Sequence, residues 1–413
     1  MISYKKRTLS NGLTILAHQD KSSAMAAVNM LYQVGARNEN PSRTGFAHLF
    51  EHLMFRGTKR VSNFDIPVQM ACGENNAFTN NDYTDFYITL PKDNIETALF
   101  LEGDRMNGLN ITEQTLEAEK KVVIEEYNQR YLNQPYGQLW LKLRALAYRE
   151  HPYRWATIGL TPDHIAGASL SEVKDFYQKF YNPSNAILSI ATNLETEHSM
   201  DLAQKYFESI PINIYNKENI PTEPTQTEPR IEIVEKDVPA TMYTVAYKMG
   251  DRRSDDFYIC DIISDILSGG TSSRLYRELV QERKLFANVN AYITGDVDPG
   301  LFVITAQLSE GVSPEQAKET IEEQLDKIKY TAIDSYELEK VKNKFEAETT
   351  FGELNIMNKA MNLGFYQMLG DLELINREIQ IFRSISPEQI MSLAKKIFTP
   401  NNSSTLIFGK NVK

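Results

Sequence analysis

Two stretches, Tyr32-Gln-Val-Gly35-Ala-Arg37 and Phe46-Ala-His48-Leu-Phe-Glu51-His52-Leu-Met-Phe-Arg-Gly57-Thr58, have counterparts in the second half of the chain. The first recurs as Tyr247-Lys-Met-Gly250-Asp-Arg252. In the second, Phe46, Leu49, Phe50, Leu53, Met54, Gly57 and Thr58 recur as Ile259, Ile262, Ile263, Ile266, Leu267, Gly270 and Thr271. Further on, Ser169-Leu-Ser171 and Asn182-Pro183 are matched by Ser384-Ile-Ser386 and Thr399-Pro400. The matches keep one order and an offset of about 215 residues, which is the signature of a duplication.

The break between the copies falls at 213–229, where Pro221, Pro224 and Pro229 stand among Asn, Thr, Glu and Lys with no apolar period. Residues 1–212 and 230–413 are therefore expected to form two duplicated domains. Each half reads as strands, an amphipathic helix, further strands, long helices and a Pro-Asn turn into a last strand. That is an α+β pattern, a mixed and mainly antiparallel sheet packed with helices. Val28 to Val34 and Met242 to Met249 are strand-like, while Thr115 to Arg130, Ser171 to Phe180 and Ser313 to Lys329 carry helical spacing. Ser386 followed by Pro387 marks a helix start.

A chain of 413 residues suits two domains with cores of their own. With 42% hydrophobic and 24% charged residues, disordered and low-complexity classes are excluded. Lys plus Arg number 44 against 55 for Asp plus Glu, without a basic run, which argues against nucleic acid and anionic membrane surfaces as partners. No apolar stretch approaches bilayer-spanning length. Cys72 and Cys260 read as two reduced core thiols. The start Met-Ile-Ser-Tyr-Lys-Lys-Arg has no apolar run behind its charges, so a cytoplasmic location is expected, or a periplasmic one if a leader has been removed.

The chemistry lies in the first copy. His48, Glu51 and His52 share one face of a helix at about 100° per residue. Two neutral imidazoles so placed can grip one Zn²⁺ while the carboxylate reaches a water on the same ion. The plainer alternative is a surface histidine pair with an ion pair to Glu51. Only six histidines occur in the chain, so a chance His-x-x-Glu-His is rare.

A catalytic zinc takes a third protein ligand and keeps one position open. In Glu119-Lys-Lys-Val122-Val123-Ile-Glu125-Glu126-Tyr127, Val122, Val123 and Glu126 fall within about 60° of Glu119 on a helical wheel, and Glu125 about 120° away. Two carboxylates on an apolar face need a partner or a metal. Glu126 is the expected ligand, and Glu119 a nearby acceptor for a histidine N–H or an auxiliary charge. A charged helix laced with Glu/Lys pairs is the alternative.

With Glu119 and Glu126 following His48-x-x-Glu51-His52, the inverted zinc motif, the sequence resembles the pitrilysin/insulinase family of metallopeptidases, notably its short bacterial members and the mitochondrial processing peptidase. Val34-Gly35-x-Arg37-x-Glu39, Asn76-Ala77-x-Thr79-x-x-Asp82-x-Thr84, His151-Pro152-Tyr153 and Ser272-Ser273-Arg274-Leu275 extend the likeness over essentially the whole chain. The resemblance implies a zinc endopeptidase with one Zn²⁺ per chain on His48, His52 and Glu126, with Glu51 and Glu119 as catalytic residues. It implies that Asn76, Ala77, Phe78 and Thr79 pair with an extended peptide substrate. Read from residues alone, Gly73 to Asn81 is a polar turn before a strand Asp85 to Leu90.

Asp261, Ser264 and Asp265 stand where His48, Glu51 and His52 stand in the first copy, so residues 230–413 are expected to hold no metal and to be structural or substrate-holding. Many family members carry an Arg and a Tyr here that contact substrate, and Gln281 and Asn288 occupy those positions. The resemblance thus implies a chamber made by two chains, as a homodimer or as a heterodimer with a homologous inactive subunit. A non-catalytic scaffold subunit and a dedicated processing factor are the competing readings.

Overall fold

The computed structural model describes residues 1–213 and 219–410. Its first sheet contains Lys5–Thr8 (β1), Thr14–Gln19 (β2), Met25–Tyr32 (β3), Glu74–Thr79 (β4), Thr84–Pro91 (β5) and Ala186–Thr192 (β6), in the order β1-β2-β6-β3-β5-β4. Strands β3 and β6 are almost continuously apolar and buried along their length, as central strands covered on both faces must be. Only β2 and β6 run parallel.

The second sheet contains Arg230–Glu235 (β7), Met242–Lys248 (β8), Phe286–Ile293 (β9), Leu301–Leu308 (β10) and Ser403–Gly409 (β11), in the order β7-β11-β8-β10-β9. Again one pair, β7 with β11, is parallel and the rest are antiparallel. Placing β7, β11, β8, β10 and β9 on β2, β6, β3, β5 and β4 reproduces order and direction throughout. The two α+β domains are therefore duplicates, with β1 lacking a counterpart among the described residues.

The segment Gly73 to Asn81 departs from the residue-based reading. It holds strand β4, antiparallel to β5 from Glu74 opposite Thr89 to Thr79 opposite Thr84. An edge strand has one side open to solvent, so the polar run Glu74-Asn-Asn hides it from a hydrophobicity pattern. The turn follows at Asn80, whose Oδ1 accepts the N–H groups of Asp82 and Tyr83. Cys260 is a core residue, but Cys72 is exposed, with a φ of 56° in the turn before β4.

Two compact units are present, each discontinuous in sequence: Met1–Tyr127 with Trp155–Pro221 and Thr350–Arg377, and Asn128–Arg154 with Thr222–Thr349 and Glu378–Lys413. In the first, the helix Ile356–Leu369 lays Ile356 and Ala360 on Ala27 and Ala191 of the sheet. Gly364 permits the close approach, since a Cβ there would stand 3.2 Å from Asn29 Nδ2. In the second, the helix Leu139–Ala147 packs Leu143 and Ala147 on Ala246, Val303 and Leu406.

Of the expected linker, 214–218 lie outside the described residues. The remainder has no regular structure, but Glu223 anchors it. Its carboxylate meets Lys248 Nζ at 2.8 Å and accepts the N–H groups of Arg149, Glu150 and His151. Burial alone would raise this carboxyl, but these partners outweigh it and bring it down to about 2. A depressed folded pKa gives stability that is present above the unfolded value of 4.5 and lost as pH falls toward 2. Glu223→Ala leaves the partly buried Lys248 ammonium with only the Pro224 carbonyl, at 3.3 Å, among the described residues and frees the N–H groups of Arg149, Glu150 and His151, so it should cost about 1–2 kcal/mol in urea unfolding at neutral pH and less near pH 2.

Candidate metal centre

The helix Phe46–Leu53 begins at Gly45, whose φ is 91° and whose Cβ, if it had one, would stand 2.7 Å from the Ile158 carbonyl oxygen. No side chain can cap the helix from that position. Glu39 does so from six residues upstream, its two oxygens accepting the N–H groups of Gly45 and Ala47 at 2.9 Å each. Burial pushes the Glu39 carboxyl up to about 8, with those bonds opposing the shift. This cap fixes the helix that carries His48, Glu51 and His52.

The facing helix is Glu113–Tyr127. It buries Leu116, Glu119 and Val123, with Glu126 partly covered. Val122 does not share that face: it is exposed, the wheel having set it at the stripe's margin. Glu125 is exposed, as a solvated residue should be.

Between the two helices, Glu126 Oε2 lies 3.6 Å from His48 Nε2 and 3.5 Å from His52 Nε2. Donors about 2.0–2.1 Å from a tetrahedral zinc stand about 3.3 Å apart, so both separations from Glu126 are close to what the ion requires, and all three donors lie within 4.8 Å of one another. The rings of His48 and His52 meet edge to face at 4.9 Å. Among the described residues, these are the one group of three His, Cys, Asp or Glu side chains gathered in this way. The residues fit zinc.

Glu119 Oε2 stands 3.5 Å from His52 Nδ1, the ring nitrogen turned away from Glu126. Burial alone would lower the His52 pKa, but Glu119 and Glu126 outweigh it and raise the imidazole to about 9. Positive charge is thus favoured where a cation would bind, and a metal must displace a proton. Burial would raise Glu119, yet His52 and Arg56 pull it below the usual carboxylate range.

Glu51, His52, Arg56 and Glu119 border one cleft of about 550 Å³, together with Ser62 and Asn63. Sequence reasoning passes over Arg56, which lies in the turn after the helix, its N–H donating to the Leu53 carbonyl. Asn76, Ala77, Phe78 and Thr79 form the outer edge of the sheet in β4. There the Ala77 N–H donates to its neighbour's Asn76 Oδ1 at 2.9 Å.

In the second copy, Asp261, Ser264 and Asp265 lie on the helix Asp255–Ser268. Lys344 Nζ meets Asp265 Oδ1 at 2.8 Å. Burial, reinforced by Asp265, pushes Asp261 up to about 6. An ammonium group here stands where the first copy gathers metal donors. Gln281 and Asn288 are both exposed. His151 is buried with its Nε2 3.3 Å from Asp298, and Leu143, Tyr148 and Tyr153, on either side of it in sequence, pack in a core.

Residues 14–159 match the family model described as Insulinase (Peptidase family M16), and residues 167–345 match that of the Peptidase M16 inactive domain. The zinc protease PqqE of Helicobacter pylori is 30% identical over 407 residues, covering 97% of this chain and 91% of that one. A solved structure of a protease from Helicobacter pylori superposes with a TM-score of 0.93 at 29% identity, over 99% of this chain and all of that one. The periplasmic protease PqqL of Escherichia coli shares the fold, with a TM-score of 0.79 at 16% identity, over 99% of this chain but 48% of its own. No described helix is long and apolar enough to cross a membrane. The chain belongs to the insulinase family, peptidase family M16, whose curated relative over nearly its full length is called a zinc protease.

Proposed function

We propose that the protein is a zinc-dependent endopeptidase acting on peptides or unfolded polypeptide segments, with one zinc per chain held by His48, His52 and Glu126. The observation that carries this reading is the convergence of two Nε2 atoms and one carboxylate oxygen beside Glu51. Bound zinc supplies a Lewis acid that polarises the scissile carbonyl and acidifies a water. Glu51, on the helix turn between the two histidines, takes the proton of the attacking water and passes it to the leaving amine. Glu119 accepts the His52 Nδ1–H and keeps the ring turned toward the metal. Along Asn76, Ala77, Phe78 and Thr79, an extended substrate adds to the sheet edge, its carbonyl replacing Asn76 Oδ1 on the Ala77 N–H.

In this reading residues 1–212 are the catalytic half, 213–229 join the halves, and 230–413 hold substrate or structure without metal. The Asp265–Lys344 pair supports the last assignment, as does the family model for residues 167–345. A chamber requires two chains, in keeping with the relative whose chain is about twice as long. Gln281 and Asn288 favour a heterodimer with a homologous inactive subunit over a homodimer.

The test is cleavage of an unstructured peptide by the purified chain, alone and with a candidate partner. Activity should vanish on treatment with a chelator and return with zinc. Undiminished cleavage after metal removal would overturn the proposal, and zinc binding without cleavage under any pairing would favour a scaffold subunit.

A further inference from the structure

Glu119 is 1% exposed, and each of its oxygens faces a nitrogen of a different side chain. Oε2 faces His52 Nδ1 at 3.5 Å, and Oε1 is in contact with the Arg56 guanidinium. No other basic side chain pairs with this carboxylate among the described residues. Arg56 reaches it from the turn that closes the histidine helix, where its own N–H donates to the Leu53 carbonyl and its side chain is half exposed. Oε1 has no hydrogen-bond donor among the described residues, so the Arg56 guanidinium is the charge that compensates it, and a carboxylate buried this deeply cannot lose that compensation at little cost. Stripped of Arg56, it would turn Oε1 toward a donor or toward water, and Oε2 would leave His52.

We propose that Arg56 is a positioning residue of the metal centre: it clamps Glu119 so that the second oxygen of that carboxylate stays on His52 Nδ1. The proposal rests on the zinc reading of His48, His52 and Glu126. The planar guanidinium suits the task, because it holds a fixed geometry against a carboxylate that the mobile ammonium of a lysine does not. The same side chain also borders the cleft beside Glu51, so direct contact with an acidic substrate side chain is the rival role. In that case its loss would leave the metal untouched.

The experiment compares the full chain with Arg56→Met, Arg56→Lys, Glu119→Gln and Arg56→Met/Glu119→Gln, measuring zinc affinity by competition with a chromophoric chelator. Losing an outer partner of a metal ligand typically weakens binding by about 10–100-fold. Arg56→Met should fall in that range and Arg56→Lys should recover part of the loss. The double variant should bind no more weakly than Glu119→Gln alone, because Arg56 acts through Glu119. Wild-type zinc affinity in Arg56→Met, or losses that multiply in the double variant, would overturn the proposal. So would a defect confined to cleavage of acidic peptides. A second readout needs no metal: ¹⁵N NMR of the His52 ring in the metal-free chain should show the Nδ1–H hydrogen bond weakened in Arg56→Met. If the wild type bound no zinc, the metal reading would fail, while this ring signal would still decide the role of Arg56.

Discussion

Glu51→Gln is expected to lower kcat by about 10³-fold or more while zinc content stays at the wild-type level. The carboxamide has nearly the same shape, so the helix and the two histidines that flank it should keep their places. What it lacks is the ability to accept and return a proton at neutral pH. Glu51 borders the cleft beside His52 and is absent from the donor group formed by His48, His52 and Glu126. Loss of zinc in this variant would show that Glu51 is a ligand and that the roles have been divided wrongly. Retained activity would show that another group is the base.

Glu126→Gln should have the opposite signature. Its Oε2 is the atom common to both short donor separations, and an amide oxygen is a weaker zinc donor that also leaves the local charge uncompensated. The loss in zinc affinity should exceed the roughly 10–100-fold expected for an outer partner, and activity should follow the metal. Glu125→Gln is the matched control, since Glu125 is exposed on the adjacent position of the same helix. It should bind zinc and cleave as the wild type does. Equal losses in both variants would point to a general effect of charge on this helix.

Much of this arrangement is legible in residue spacing because helices convert sequence distance into direction. Spacing alone sets His48 and His52 on one helix face and Glu119 and Glu126 on another, with Glu125 apart from them. The duplication is legible because Gly35 and Gly250, or Phe46 and Ile259, keep the same places in both copies. Three features are hidden, each for a physical reason. Strand β4 is polar because it is an edge, so apolar alternation does not reveal it. The helices Ile356–Leu369 and Leu139–Ala147 each join the sheet built mainly from the other half of the sequence. Such a crossing depends on tertiary packing of small residues such as Ala27, Ala191 and Gly364, which no local pattern reports. Arg56 lies beyond the last helical residue, Leu53, and its pairing with Glu119 joins two segments far apart in sequence.

The central claim is that one zinc sits between the two helices of the first copy. Anomalous diffraction from crystals of the purified chain, recorded above and below the zinc absorption edge, tests it most directly. One zinc peak per chain is expected within bonding distance of His48 Nε2, His52 Nε2 and Glu126, and none at Asp261 and Asp265. A fully occupied peak at another set of side chains, or no peak from zinc-loaded protein, would contradict it.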